Sequence, residues 1–281
     1  MKIYHHNDLD GRCAAAIALK RHPDAECIEV DYKDPINIAE IDVYEPIVIV
    51  DFSFKPEVMD AVLKLTDDVT WIDHHRTAAD YDYGRTLPGL RDFADKKHSG
   101  CELAWLHYCS GKQMPLAVEL IGDYDKWAHK MAPASLEFVE GMKLRPHDPR
   151  DQVWAVLLKC DELAQDGVDT IMNEGQAAIR YRDHYCADIR KGYGYETEIG
   201  GHKAYAMNCY RFGSQGFGAH IQAEYPIMIA CIHDGAKWTV SLYTERPDLD
   251  VSAIAKEHGG GGHKGAAGFV CEELPFVRRQ G

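Results

Sequence analysis

The chain has 281 residues, 46% hydrophobic and 27% charged, enough for one large domain or two ordinary ones with a substantial core. No apolar run approaches a membrane span and no basic segment leads into a long apolar stretch at the start, so a membrane anchor and a secretory leader are not expected and the cytoplasm is. Its formal net charge of −14 argues against long nucleic acids, whose affinity comes from lysine and arginine at phosphates, but leaves room for a small phosphorylated ligand held through metal ions.

In chain order, the first half alternates. "KIYH" reads as a strand, "RCAAAIALKR" as a helix and "CIEVDY" as a strand. "PIVIVDFSF" carries the continuous β-branched run of a strand buried on both faces. "PEVMDAVLKLT" is a helix opened by proline, and "DVTWIDHH" is a further strand. This alternation predicts a parallel α/β sheet. From about Ser99 to Asp166 the pattern turns helical, in "SGCELAWLHYC", "MPLAVELIGDYDKW", "SLEFVEGMKL" and "DQVWAVLLKC". A longer helix follows, with Val168, Ile171, Met172, Gly175, Ala178, Ile179, Tyr185 and Ile189 on one stripe. After "KGYGY" come the strand-like "ETEIGGHKAYAMNCY", "YPIMIACIH" and "KWTVSLYT", a short helix "DVSAIAKEHG", and the glycines 259–262. The expected organisation is residues 1–166 as a first α/β domain, 167–193 as a connecting helix and 194–281 as a smaller α/β domain. The nine cysteines, an odd number without a C-x-x-C pair, fit reduced thiols better than disulfides or a thiolate zinc site.

Carboxylates and imidazoles collect at the ends of the predicted strands. His5, Asp8 and Asp10 follow the first, Asp51 follows "IVIV", and Asp73, His74 and His75 follow "VTWI". In an open parallel sheet these ends share one edge, where ligands bind. Asp123, closing the apolar run of "LIGDYDKW", is a fourth contributor. Singly, each has a plain reading: Asp8 or Asp10 caps a helix, Asp51 is a turn residue, and paired histidines are surface groups. Together they would repel one another unless cations neutralise them. Mixed Asp/His donors suit manganese, and two metals about 3.5–4 Å apart can share a carboxylate. In the second half, "GGGGHKGAAGF" sets small residues around His263; glycines beside a helix start expose N–H groups to an anion.

These motifs resemble the DHH phosphoesterase superfamily. "HHNDLDG", Asp51, "DHH" at Asp73–His75 and Asp123 match its N-terminal motifs, and "GGGHKGAAG" (260–268) resembles the signature of its DHHA1-type C-terminal domain. The resemblance runs from His5 to Gly268. It implies a two-lobed α/β enzyme in which a parallel-sheet domain, joined by a helical connector to a smaller α/β domain, holds two manganese ions, with magnesium as the alternative. His5, Asp8 and Asp51 would bind one ion; Asp10, Asp51, His74 and Asp123 would bind the other. His75 would face the substrate phosphate, with Asp73 orienting a ligand. His263 with Gly260, Gly261 and Gly262 would hold a terminal phosphate or nucleotide. Two departures stand out. The spacing in the first motif leaves His5 or His6 as the ligand and favours His5. The arginine that some oligonucleotide-cleaving members carry before the glycine motif is absent from "VSLYTERP", where Arg246 is either a substitute or a surface residue. The implied function is hydrolysis of small nucleotides or short oligonucleotides, with a homodimer left open. The rival readings are an inorganic pyrophosphatase or exopolyphosphatase, and a non-catalytic nucleotide sensor.

Overall fold

The alternating first half folds as a parallel sheet in the computed structural model, which describes residues 1–94, 97–210 and 212–278. Its elements are β1 (Lys2–His6), α1 (Leu9–Leu19), β2 (Glu26–Val30), β3 (Ile47–Val50), α2 (Pro56–Leu63) and β4 (Val69–Ile72). The strands lie in the order β2-β1-β3-β4 and every neighbouring pair is parallel. The chain leaves β1 to one side for β2 and returns to its other side for β3. The carboxyl ends of β1 and β3 therefore flank the switch point, where an open α/β sheet leaves its crevice.

Alternate side chains of each strand feed two cores. Ile3, Val48, Val50 and Ile72 meet the buried alanines of α1 on one face. Tyr4, Ile47, Ile49, Val69 and Trp71 meet Met59 and Val62 of α2 on the other. The helical run follows as α3 (Gly100–Tyr108), α4 (Leu116–Asp125), α5 (Ala134–Met142), α6 (Gln152–Leu157) and α7 (Glu162–Tyr193). Gly175, on the apolar stripe of α7, permits close passage along α5: a Cβ there would lie 1.8 Å from the Glu137 carbonyl oxygen. By its contacts the chain divides into two units, Met1–Ala178 and Ile179–Gly281. The division falls inside α7, ahead of Tyr193, where the sequence reading ends its connector.

The second unit contains β5 (Tyr195–Ile199), β6 (His202–Asn208), α8 (Gly218–Glu224), β7 (Ile227–His233), β8 (Trp238–Tyr243), α9 (Val251–Glu257), β9 (Gly261–His263) and β10 (Ala266–Cys271). They form a six-stranded sheet in the order β5-β6-β7-β8-β10-β9, antiparallel except between β6 and β7. Gly200 and Gly201, both at positive φ, close the two-residue turn between β5 and β6. No helix among the described residues is long and apolar enough to cross a membrane.

Candidate metal centre

Three chain segments deliver polar side chains to the carboxyl edge of the first sheet. Asp51 directly follows β3. It is wholly buried, and its φ of 53° lies in the left-handed region. Gly100, at the first position of α3, makes room for it: a Cβ on Gly100 would lie 2.4 Å from the Asp51 Cβ. After β4, His74 brings Nε2 to 3.1 Å from Asp51 Oδ1 and 3.3 Å from Asp125 Oδ2. After β1, His6 Nδ1 lies 2.7 Å from Asp8 Oδ2 and 3.9 Å from Asp51 Oδ2. Asp8 also caps α1, its Oδ1 accepting from the Gly11 N–H at 2.9 Å. The plain capping role and a place in the cluster therefore coexist. Gly11 lets that helix start against the strand, since a Cβ there would lie 2.4 Å from the His6 carbonyl oxygen.

Asp10 does for α3 what Asp8 does for α1. Its oxygens accept from the Ser99 hydroxyl at 2.8 Å and from the N–H groups of Gly100 and Cys101 at 2.7 and 3.0 Å. A carboxylate at a helix N-terminus is favoured by the unpaired N–H groups and the helix dipole. Its Oδ2 remains 3.7 Å from His74 Nε2.

Among the described residues, three sets of donor atoms lie close enough to embrace a cation: His6, Asp8 and Asp51; Asp10, His74 and Asp125; and Asp51, His74 and His75. Asp51 and His74 each belong to two sets. Both carboxylate oxygens of Asp51 and the Nε2 of His74 are buried without a hydrogen-bond partner. Leaving a buried polar atom unpaired costs about 1–3 kcal/mol, and more for a charge. Burial, then the charges of Asp10, Asp8 and Asp125, push the Asp51 carboxyl far above its ordinary range. Asp125 is raised for the same reasons, burial first and then Asp10 and Asp8. This donor set fits divalent cations, which would satisfy the orphaned oxygens and cancel the repulsion.

Asp73 is fully buried behind the cluster. Its Oδ1 accepts from the His74 and His75 N–H groups and from His75 Nδ1 at 2.8 Å, and its Oδ2 accepts from the Ser53 hydroxyl. Burial opposes charge on His75, but the Asp73 carboxylate outweighs it and raises the imidazole pKa. Tyr32, just past β2, stacks on Phe52 at 4.5 Å, meets His75 edge-on at 5.5 Å and lies tilted against His6 at 5.6 Å.

The structure differs from the sequence reading at two positions. His5 does not join the cluster. It lies 2% exposed, shares a strand face with Ile3, and pairs its Nδ1 with the His6 carbonyl. The two-residue period of the strand puts His6 at the cluster instead. Asp123 also turns away. Its carboxylate accepts from the N–H groups of Lys130 and Met131 at 2.8 and 3.1 Å. Two helical positions are about 200° of rotation, so Asp125 faces the other way. The face of α4 that carries Gly122 and Asp125 packs toward Glu102 at the start of α3. The sequence does contain the signal, since "GDYD" holds both aspartates, but the apolar stripe alone does not choose between them.

In the second unit the glycine motif follows the short helix read from "DVSAIAKEHG", so the helix end beside it is a carboxyl end and offers no N-terminal N–H groups to an anion. α9 stops at Glu257, and Gly259, at φ 78°, closes it; the N–H of Gly260 donates to Ala255 O at 2.8 Å. Gly261, Gly262 and His263 then form the edge strand β9, paired with Ala266–Gly268. His263 is exposed. Glycine is required at 260 and 262 because a Cβ would lie 2.1 Å from Gly268 O and 2.6 Å from the Ala267 Cα. Arg246 is exposed and its Nη2 donates to Ala223 O at 3.0 Å.

No protein-family model matches the chain. A curated relative, an uncharacterized protein of Acanthamoeba polyphaga mimivirus, is 25% identical over 244 residues, covering 83% of this chain and 55% of that protein. The chain thus spans about half the length of this relative. Among solved structures it resembles the DHH domain of a member of a family of ribosomal proteins (13% identity, 96% of this chain and 82% of that one, TM-score 0.56). It also resembles the pGpG-specific phosphodiesterase PggH of Vibrio cholerae (14%, 96% and 92%, TM-score 0.53). A third is the exonuclease RecJ bound to manganese (16%, 97% and 86%, TM-score 0.51). The chain shares its fold with these structures, a DHH domain among them.

Proposed function

We propose that this chain is a divalent-cation-dependent phosphoester hydrolase acting on small nucleotides or short oligonucleotides. One observation carries the reading: a wholly buried Asp51 with two unpartnered oxygens, set among Asp8, Asp10, Asp125 and three imidazoles. His6, Asp8 and Asp51 would hold one ion; Asp10, Asp51, His74 and Asp125 would hold a second, with Asp51 shared. When bound, such a pair supplies Lewis acidity that lowers the pKa of a water and offsets charge growing on phosphoryl oxygens.

The chain's own groups set the stage for this. Asp73 fixes the ring of His75 through Nδ1, which leaves Nε2 for a phosphoryl oxygen. Gly100 and Gly11 let α3 and α1 begin against the cluster. The mixed nitrogen and oxygen donors favour manganese over magnesium, and the similar RecJ structure is described as manganese-bound. The pGpG phosphodiesterase and the exonuclease share this fold, and the charge of −14 favours the small end of the substrate range. In the second unit the exposed His263, next to Gly260, Gly261 and Gly262, would be the group that meets a terminal phosphate. Nine free cysteines suit a reducing cytoplasm.

The test is product analysis after chelation and readdition of Mn²⁺ or Mg²⁺. The substrates are a linear dinucleotide, a phosphorylated mononucleotide, a short oligoribonucleotide and pyrophosphate. Metal-dependent release of mononucleotides or phosphate from the nucleotide substrates is the expected result. Turnover of pyrophosphate alone would move the chain to the pyrophosphatases, and bound metal without turnover would make it a sensor.

A further inference from the structure

The loop that follows Asp125 places a large aromatic where folding gains nothing from it. Trp127 is 75% exposed, while Trp71, Trp105 and Trp154 are buried. It stands just past the end of α4 with φ 54°, and its N–H donates to Tyr124 O at 3.0 Å. Glycine or asparagine is the usual residue for this left-handed helix-ending position, because a Cβ there is crowded. His129, at φ 49°, repeats the exception two residues later, and its ring meets the indole edge-on at 5.6 Å. The loop is pinned: Ala128 and His129 donate to Asp123 O, and the Asp123 carboxylate takes the N–H groups of Lys130 and Met131. Asp123 therefore fixes the loop that displays Trp127.

We infer that Trp127 is a stacking platform for a nucleobase of a substrate whose phosphate lies at the neighbouring cluster. This rests on the nucleotide-hydrolase reading above. Two virtual bonds separate Trp127 from Asp125, so their Cα atoms are at most about 7.6 Å apart. A nucleotide with its phosphate at Asp125 has a base within reach of that loop. The surroundings suit this ligand better than a protein partner. Ala128, His129 and Lys130 are all exposed, which sets a π-face beside imidazole and ammonium groups and not within an apolar patch. Both the strained backbone and the exposed indole are unfavourable in the free chain, and strain of this kind gathers at ligand-binding positions.

The experiment compares wild type, Trp127→Ala and Trp127→Phe on a 5′-phosphorylated dinucleotide and on its analogue lacking both bases. Stacking predicts that Trp127→Ala raises KM for the dinucleotide by about 5- to 150-fold, with kcat and the abasic analogue unchanged, and that Trp127→Phe retains most of the affinity. An unchanged KM, or an equal loss on both substrates, overturns the platform and leaves the hydrolase reading standing. A second readout does not need turnover: titration with a mononucleotide should quench tryptophan emission in wild type and not in Trp127→Phe. Quenching in a chain that hydrolyses nothing keeps the platform and removes the hydrolase; equal emission changes in both proteins remove the platform.

Discussion

His5 and His6 are neighbours in sequence and opposites in setting. One has its ring buried on the face of Ile3, and the other reaches Asp8 and Asp51. His6→Gln is expected to weaken Mn²⁺ binding by more than about 100-fold, because a direct ligand should matter more than the 10–100-fold typical of its supports. His5→Gln should leave metal affinity near wild type; calorimetric titration of the chelated protein separates the two. The same contrast holds along α4. Asp125→Asn should lose metal, whereas Asp123→Ala should keep it and lower stability by about 1–3 kcal/mol, since two N–H groups lose their acceptor. Asp73→Asn should lower turnover about 10- to 100-fold with little change in metal content, because its carboxylate positions His75 from behind.

At the scale of elements, α3 begins at the centre. Its first residue, Gly100, lies against Asp51, and Asp10 caps its N–H groups. Gly100→Ala would drive a methyl group into the Asp51 side chain. A folded protein with native circular dichroism and lost Mn²⁺ affinity is the expected outcome; retained affinity would mean that α3 shifts freely. Much of this architecture was legible beforehand. "IVIV" and "VTWI" read as buried parallel strands, so Asp51 and His74 fell at their carboxyl ends. The choice between His5 and His6 was not legible, because in a five-residue strand one step of register exchanges the faces. Asp123 and Asp125 defeated the reading for a related reason: both end an apolar helical stripe, and only the position of α3 selects one. The helix before the glycine run was legible in "DVSAIAKEHG"; the edge strand that the glycines enter was not, because it is fixed by pairing with Ala266–Gly268.

For the whole molecule, the proposed centre would couple metal to stability. A cation that binds only the folded chain stabilises it by about 2.7 kcal/mol at a hundred times its Kd. Chelation should therefore lower Tm, and Mn²⁺ should restore it in proportion to the logarithm of concentration; a Tm indifferent to both would count against a folded-state site. High salt should mimic only a small part of this gain, since screening acts weakly on buried carboxylates.

The left-handed backbone of Asp51 has a consequence for how the chain can change. Asparagine tolerates that conformation and carries no charge, so Asp51→Asn removes the central repulsion while nearly preserving shape. Without metal, the variant is expected to melt above the wild type, by about 2–4 °C for each kcal/mol relieved, and to be inactive. A lower Tm in the variant would show that the repulsion is already quenched. The first unit is thus poised on a trade-off: selection for thermal robustness alone, in a metal-poor setting, would erase the residue on which the proposed activity depends.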